Sequence, residues 1–444
     1  MRTSWVAGLA LLVVGAAAGG YTLLAEDPKG VVRVAPSPSA SPDPSRMPLL
    51  LTSNGAGPAP SAVGVRRALA GALKDPGLGT RLAASVVDAA TGAPLLQLGA
   101  TGPVTPASTA KIATAVAVLS VLAPDQRITT RVVQGAPGDV VLVGAGDPTL
   151  SGANAAHGFP TSARLSDLAA QLRAADVRRV VVDDGLFTGP RLGPGWKPGY
   201  VTSGDVAPVS ALAVDGGRQS LTKNQPRVAD PALEAGRQLA ALLRVKPVVR
   251  GVAPAGAVVL AHVDSPMMSE LVESMLTRSD NDLAEALGRQ LALASNQPAS
   301  FVGEAAATRT VLTPLLGGLS VDLRDASGLS PLDRVAPAAL TRLLAAVGRD
   351  PRFAPVLSGL PVAGFDGTLA QRFRTAPTSS AAGQVRAKTG TLDGVSALAG
   401  LVRTRSGHLL AFDLTADGVP VTGTATAQAA LDRLAAALAA CGCA

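Results

Sequence analysis

Of the 39 cationic side chains in this 444-residue sequence only seven are lysines. That imbalance draws attention to them, because an amine can give up its proton inside a protein whereas a guanidinium stays charged. Ser108-Thr109-Ala110-Lys111 heads an uncharged, mainly apolar run, residues 112–122. A spacing of three puts both side chains on one face of a helix, so the amine can draw the proton from the hydroxyl. A serine at a helix start also lies beside free backbone N–H groups that can stabilise negative charge on a substrate carbonyl. The chemistry open to such a pair is attack of an activated hydroxyl on an acyl carbon.

Two further groups could join it. Ser279-Asp280-Asn281 interrupts two helical stretches, residues 267–278 and 283–291, so its side chains project from a short turn. Lys388-Thr389-Gly390-Thr391 ends a strand-like stretch. Each has a plain structural reading: Ser108 as an N-cap, residues 279–281 as a helix cap, Lys388 as a solvated lysine where a strand turns. Spacing alone decides nothing, because Ser220-Leu221-Thr222-Lys223 repeats the first pattern and leads into Asn224-Gln225-Pro226, where a helix cannot be sustained.

Other chemistries find less support. His157, His262 and His408 are scattered, and no Gly-x-Ser-x-Gly elbow accompanies them, which argues against a Ser-His-Asp triad. No clustered ligand pattern implies a metal, and no cofactor is expected. Cys441 and Cys443, in the last four residues, read as a small terminal disulfide or frayed thiols, neither of them catalytic. The net charge of +7 is spread along the chain, aromatics are 2% of it, and no basic run is interleaved with them, so nucleic acid is not an expected partner. A mildly basic surface does suit an anionic cell envelope.

The elements that must position these groups follow from the rest of the chain. Arg2 precedes residues 5–25, which carry no charge and match the ~20 residues that span a bilayer. Residues 1–25 therefore read as a signal peptide or signal anchor. Ala16-Ala17-Ala18 offers a cleavage site, while Tyr21, Leu23 and Leu24 prolong the apolar run and favour retention at the membrane. Residues 26–60 form a linker rich in proline and serine, with Pro36, Pro38, Pro42, Pro44 and Pro48 blocking helix and central strand. An anchor followed by a tether places the remainder in the cell envelope, outside the cytoplasmic membrane.

Within that remainder, residues 61–74 predict a helix with Val65, Leu69 and Leu73 on one face, and residues 81–99 a hairpin around Thr91-Gly92-Ala93-Pro94. A helix over 108–122 follows, and near the other end come strands over 384–388, 394–403 and 408–416 and a closing helix over 422–440. Strands at both ends with helices between them predict an α/β (α+β) sheet domain split between residues 61–123 and 266–444. Strands over 127–133, 140–143 and 178–182 and helices over 165–174 and 231–243 predict a smaller α/β domain inserted at residues 124–265.

The three candidate groups, in this order, resemble the signature of penicillin-binding proteins and related β-lactamases. Gly146-Asp147-Pro148-Thr149-Leu150, Ala207-Pro208-Val209-Ser210-Ala211-Leu212, Asp325-Ala326-Ser327-Gly328-Leu329-Ser330, Leu360-Pro361-Val362-Ala363-Gly364 and Asp366-Gly367-Thr368-Leu369 extend the likeness over most of residues 63–440. Together they are similar to the penicillin-binding protein 4 type of low-molecular-mass D-Ala-D-Ala carboxypeptidase/endopeptidase, class C, peptidase family S13. The resemblance implies a serine β-lactamase/DD-peptidase-like antiparallel five-stranded sheet flanked by helices, with an insert too short for a full third domain.

It also implies roles. Ser108 would be the nucleophile and Lys111 the general base, its pKa brought down from ~10.4 by burial and by the second ammonium of Lys388. Ser279 would relay a proton, and Asn281 would fix lysine and substrate. Lys388, Thr389, Gly390 and Thr391 would bind substrate at its terminal carboxylate, and the backbone N–H groups of Ser108 and Thr391 would hold the oxyanion. The implied partners are peptidoglycan stem peptides ending in D-Ala-D-Ala, β-lactam antibiotics as covalent inhibitors, and the membrane through the N-terminal segment. A serine β-lactamase uses the same trio, yet its class A form needs a deacylating glutamate downstream. This chain has none after Glu304, leaving Asp325 as a polar substitute, so slow release of β-lactams is expected. A tethered, non-catalytic wall-binding module is the other alternative.

Overall fold

The computed structural model describes residues 59–152, 163–173, 175–220 and 225–444. The leader, nearly all of the linker, His157 and residues 221–224 of the second Ser-x-x-Lys lie outside that range. Among the described residues no helix is long and apolar enough to cross a membrane.

The chain enters through α1 (Ala62–Leu69), capped by the Ser61 hydroxyl, and a hairpin of β1 (Arg81–Asp88) and β2 (Pro94–Leu98). Asp88 Oδ1 organises the hairpin turn by accepting from the Ala90 and Thr91 amides at 3.0 and 2.8 Å. Next come α2 (Ala110–Val121), β3 (Thr129–Gln134), β4 (Asp139–Val143), α3 (Leu165–Gln171), β5 (Arg179–Asp183), α4 (Pro231–Leu243), β6 (Val248–Arg250) and β7 (Val259–Asp264). A helical stretch follows: α5 (Met268–Arg278), α6 (Asn281–Ala294) and α7 (Phe301–Leu316). The short strands β8 (Val321–Asp322) and β9 (Arg334–Val335) pair with each other ahead of α8 (Pro337–Val347) and α9 (Ala354–Gly359). The last elements are β10 (Val385–Leu392), β11 (Val395–Arg403), β12 (Leu409–Asp417) and α10 (Thr424–Ala439).

Two five-stranded sheets result. The first has the order β10-β11-β12-β1-β2 and is antiparallel throughout, so strands from early and late in the described residues meet in it. β11 and β12 are mainly apolar and buried on both faces, as central strands covered by helices must be. Alternation sorts their side chains: Ala399, Leu401 and Ala411 face the core formed with α2, α5, α6 and α8, whereas Leu398, Leu410, Phe412 and Leu414 face α1 and α10. The second sheet, order β6-β5-β4-β3-β7, is drawn wholly from residues 129–264 and is mixed, with β4, β5 and β6 parallel. α3 and α4 cover one of its faces. The mixed α/β class and the antiparallel five-stranded sheet agree with expectation; β6–β9 and α7–α9 had no prediction.

One local reading changes and one open alternative is decided. β10 does not end at Lys388 but runs through Thr389, Gly390 and Thr391, which pair with Leu398, Ala397 and Ser396 of β11. Gly390 is a strand residue whose missing side chain permits the close approach of the Pro106 carbonyl. Cys441 and Cys443 form a disulfide, and both are buried rather than frayed. The Ser61 amide donates to the Cys443 carbonyl at 2.6 Å, and a Cβ on Gly64 would come within 2.5 Å of that carbonyl carbon, so the chain end is docked against α1.

Candidate active site

Ser108 does not cap α2. It sits in a 3-10 turn, Ala107–Thr109, that precedes the helix, and Ala107 takes a left-handed φ of 49°. Two glycines make room for that turn. A Cβ on Gly328 would overlap the Ala107 carbonyl, and one on Gly390 would lie 2.7 Å from the Pro106 carbonyl oxygen. The serine is thereby wedged between the 325–330 loop and β10, partly exposed, one helical turn from a fully buried Lys111.

The Lys111 amine has three partners. It donates to Asn281 Oδ1 at 2.7 Å and to the Ser327 carbonyl at 2.6 Å, and its third direction points to Ser108 Oγ at 3.2 Å. An ammonium has three N–H groups and a neutral amine two plus a lone pair. With two strong oxygen acceptors taking two N–H groups, loss of a proton leaves the lone pair facing the serine hydroxyl. Burial pulls this amine down to about 8, against the opposing pull of Asp325, Glu285, Asp280 and Asp333.

Lys388 projects from β10 and is also fully buried; its amine donates to Ser279 Oγ and to the Thr389 carbonyl, each at 2.8 Å. Burial lowers it well below the usual lysine value, and the Lys111 ammonium adds to that. The expected effect of one amine on the other is thus felt at Lys388; at Lys111 burial does the lowering, a correction to the sequence-based cause. Ser279 ends α5 with a left-handed φ of 57°, and the Asp280 carboxylate caps α6 by accepting from Leu283 N at 2.9 Å. The plain reading of this turn as a helix cap therefore holds for Asp280, while its neighbours on either side reach the two amines. Thr389 Oγ1 donates to Thr368 Oγ1 at 2.8 Å, and Thr391 Oγ1 accepts from Gln428 Nε2 at 3.2 Å.

Five of the predicted groups are therefore gathered in two hydrogen-bonded arms, Ser108–Lys111–Asn281 and Lys388–Ser279, joined through one turn, while Thr389, Gly390 and Thr391 continue β10 beyond Lys388. A family model of the D-Ala-D-Ala carboxypeptidase 3 (S13) family matches residues 65–227 and 219–438. The chain belongs to the S13 family. This S13 chain is 41% identical to the carboxypeptidase DacB of Mycolicibacterium smegmatis, across 99% of its own length and 96% of the relative's. It is 30% identical to the D-alanyl-D-alanine carboxypeptidase of Actinomadura sp. strain R39, covering 78% and 79% of the two chains. Its fold resembles the crystal structure of penicillin binding protein 4 from Haemophilus influenzae, with a TM-score of 0.68 at 21% identity over 82% of this chain and 97% of that one. The S13 chain is a hydrolase of the D-Ala-D-Ala carboxypeptidase type.

Several contributors to this S13 site carried no sequence signal of their own. The Ser327 carbonyl and the Asp205 carbonyl, which accepts from Asn281 Nδ2 at 2.9 Å, are backbone groups. Glu285, buried in α6, accepts from the Ser327 amide at 2.9 Å and so steadies the carbonyl of that residue; burial pushes its carboxyl up to about 7. Asp325 organises a turn: its two oxygens accept from Trp196 Nε1, Gly328 N and Ser330 N at 2.6, 2.6 and 2.7 Å. His262 lies on β7 and His408 just before β12, outside both arms. Among the described residues no three histidine, cysteine or acidic side chains gather as a metal site would need.

Proposed function

We propose that this S13 enzyme trims peptidoglycan stem peptides ending in D-Ala-D-Ala through an ester on Ser108. Neutral Lys111 takes the Ser108 proton while Oγ bonds to the carbonyl carbon of the penultimate D-Ala. The backbone N–H groups of Ser108 and Thr391 hold the resulting oxyanion. The proton passes by way of Ser279 to the amine of the terminal D-Ala, the C–N bond breaks, and water later cleaves the ester with the same base. Asn281 orients Lys111 and the substrate amide. Thr389 and Thr391 bind the terminal carboxylate at Gly390, and Lys388, held below its usual pKa, regains charge when that carboxylate arrives.

One observation carries this reading: a fully buried amine lowered to about 8 lies 3.2 Å from a partly exposed hydroxyl. About a tenth of such amines are neutral at pH 7, against fewer than about one in a thousand for an ordinary lysine. The test is release of free D-alanine from a synthetic pentapeptide ending in D-Ala-D-Ala. Wild-type protein is expected to release it and Ser108→Ala to release none; equal release by both would overturn the reading.

β-Lactams are the proposed covalent inhibitors. The H. influenzae neighbour has also been solved with a β-lactam, and the same nucleophile would open such a ring here. Commitment of both Asp325 oxygens to its turn supports slow release over β-lactamase turnover. The enzyme acts outside the cytoplasm; we assign residues 1–25 as its signal peptide or anchor and 26–60 as its tether. We further assign residues 61–123 with 266–444 as the peptidase domain and 124–265 as its insert.

A further inference from the structure

The turn that carries Ser279 and Asn281 is gripped from a distant part of the chain. Asp280 and Asp282 flank Asn281, and each meets an arginine. Arg218 Nη2 donates to Asp280 Oδ2 at 2.9 Å and lies 3.7 Å from Asp282 Oδ2, while Arg227 Nη2 donates to Asp282 Oδ2 at 3.0 Å. The Ala207 amide donates to the other Asp282 oxygen at 2.6 Å, and the Asp205 carbonyl takes the Asn281 amide. Arg218 and Arg227 face each other across an isolated antiparallel bridge, so the two guanidiniums reach the turn from paired backbone positions.

This arrangement is too buried to be a surface charge cluster. The Arg227 and Asp282 side chains are 6% and 7% exposed. Burial raises the Asp280 carboxyl, but Arg218, the Leu283 amide and Arg227 outweigh it and hold it below its ordinary value. Asp282 is pushed up to about 6 by burial and by Asp280. Two carboxylates two residues apart repel, and without the guanidiniums the turn between α5 and α6 would relax to separate them. Ser279 would feel this first, because its left-handed φ of 57° is sustained only where the surroundings over-determine it.

We propose that Arg218 and Arg227 are positioning residues for the acyl-transfer reaction, pinning the Ser279–Asp282 segment so that Ser279 meets Lys388 and Asn281 meets Lys111. The segment bearing the second sheet is then part of the catalytic apparatus, since it sets the geometry of groups on α5 and α6 that it does not itself contain. Arginine suits the task because its guanidinium keeps its charge even where it is partly buried.

The inference rests on Ser108 being the nucleophile, so the experiment separates the two. Full-chain protein is mixed with a fluorescent penicillin over a range of concentrations, and the limiting acylation rate constant, the half-saturation concentration and the melting temperature are recorded for wild type, Ser108→Ala, Arg218→Gln and Arg218→Lys. Arg218 is 28% exposed at its side chain, so its variants are expected to remain folded. Arg218→Gln should lower the limiting rate constant about 10- to 100-fold at a temperature where its melting curve shows native protein, with half-saturation within about twofold. Arg218→Lys, which keeps a cation facing Asp280, should recover most of the loss. A wild-type rate constant in native Arg218→Gln, or a loss that the lysine variant shares in full, overturns the inference while leaving the nucleophile standing. Labelling of Ser108→Ala overturns the reading beneath it, and the inference with it.

Discussion

Lys388, on the edge strand of the first sheet, reaches across to the turn between α5 and α6 and donates to Ser279 Oγ at 2.8 Å. The bond ties a hydroxyl to an amine that burial and Lys111 both push toward neutrality. Lys388 can thereby hold the Ser279 hydroxyl in place to pass the proton that Lys111 took from Ser108 on to the leaving amine. Ser279→Ala breaks this route without touching Ser108 or Lys111. Its hydrolysis rate should fall by about 100-fold or more, while the melting temperature stays close to wild type. Steady-state release of D-alanine measured beside a thermal melt checks both halves.

The acylation rate should depend on the Lys111 proton. With the amine lowered to about 8, the rate rises roughly tenfold per pH unit up to that value and then levels. Penicillin labelling rates between pH 6 and pH 9 give the profile; a flat one would exclude Lys111 as the base. The same shift affects stability in a defined sense. The folded amine loses its proton near pH 8 and the unfolded one near ~10.4, so the folded state binds fewer protons between them. The penalty for burying this charge is complete below pH 8 and is relieved as pH rises toward 10.

Gly390→Ala tests the wedge. The added methyl would lie 2.7 Å from the Pro106 carbonyl oxygen and 3.3 Å from the Ala107 Cβ, so the turn bearing Ser108 must move. Overpacking of this kind costs about 1–3 kcal/mol, and the displaced hydroxyl should acylate at least about tenfold more slowly. Denaturant unfolding and labelling kinetics on one preparation measure the two effects.

Asp413, in the middle of β12, is 2% exposed, and among the hydrogen bonds it makes is one from Thr415 Oγ1 at 2.8 Å. Burial raises its carboxyl to about 7. The folded state therefore holds a proton that the unfolded state has lost between about pH 4 and pH 7, and stability from this group falls across that window. Asp413→Asn keeps the shape and removes the charge. It should raise the melting temperature by about 2 °C or more at pH 8 and change it little at pH 4.

What could be read from the chain and what could not divide on physical grounds. The Ser108–Lys111 spacing, the break at residues 279–281 and the order of the three groups survive in sequence because side chains carry them. The partners that orient Lys111 are different: the Ser327 carbonyl and, through Asn281, the Asp205 carbonyl are backbone atoms that any residue could supply. Likewise Ala107 gives no hint of its left-handed φ, which exists because Gly328 and Gly390 vacate the space around it. The run of β10 past Lys388 was hidden for the same reason, since a strand there needed a missing side chain at Gly390. Arg218 and Arg227 stood among 32 arginines, and only their pairing across a bridge singles them out.

The central claim, an ester formed at Ser108 by a base at Lys111, is tested most directly by intact-mass and peptide-mapping analysis of penicillin-treated protein. Wild type should gain one adduct, mapped to the peptide holding Ser108. Ser108→Ala should gain none, and neither should Lys111→Arg at pH 7, although it melts as a folded protein. An adduct on another residue, or full modification of the Lys111→Arg protein, would contradict the account.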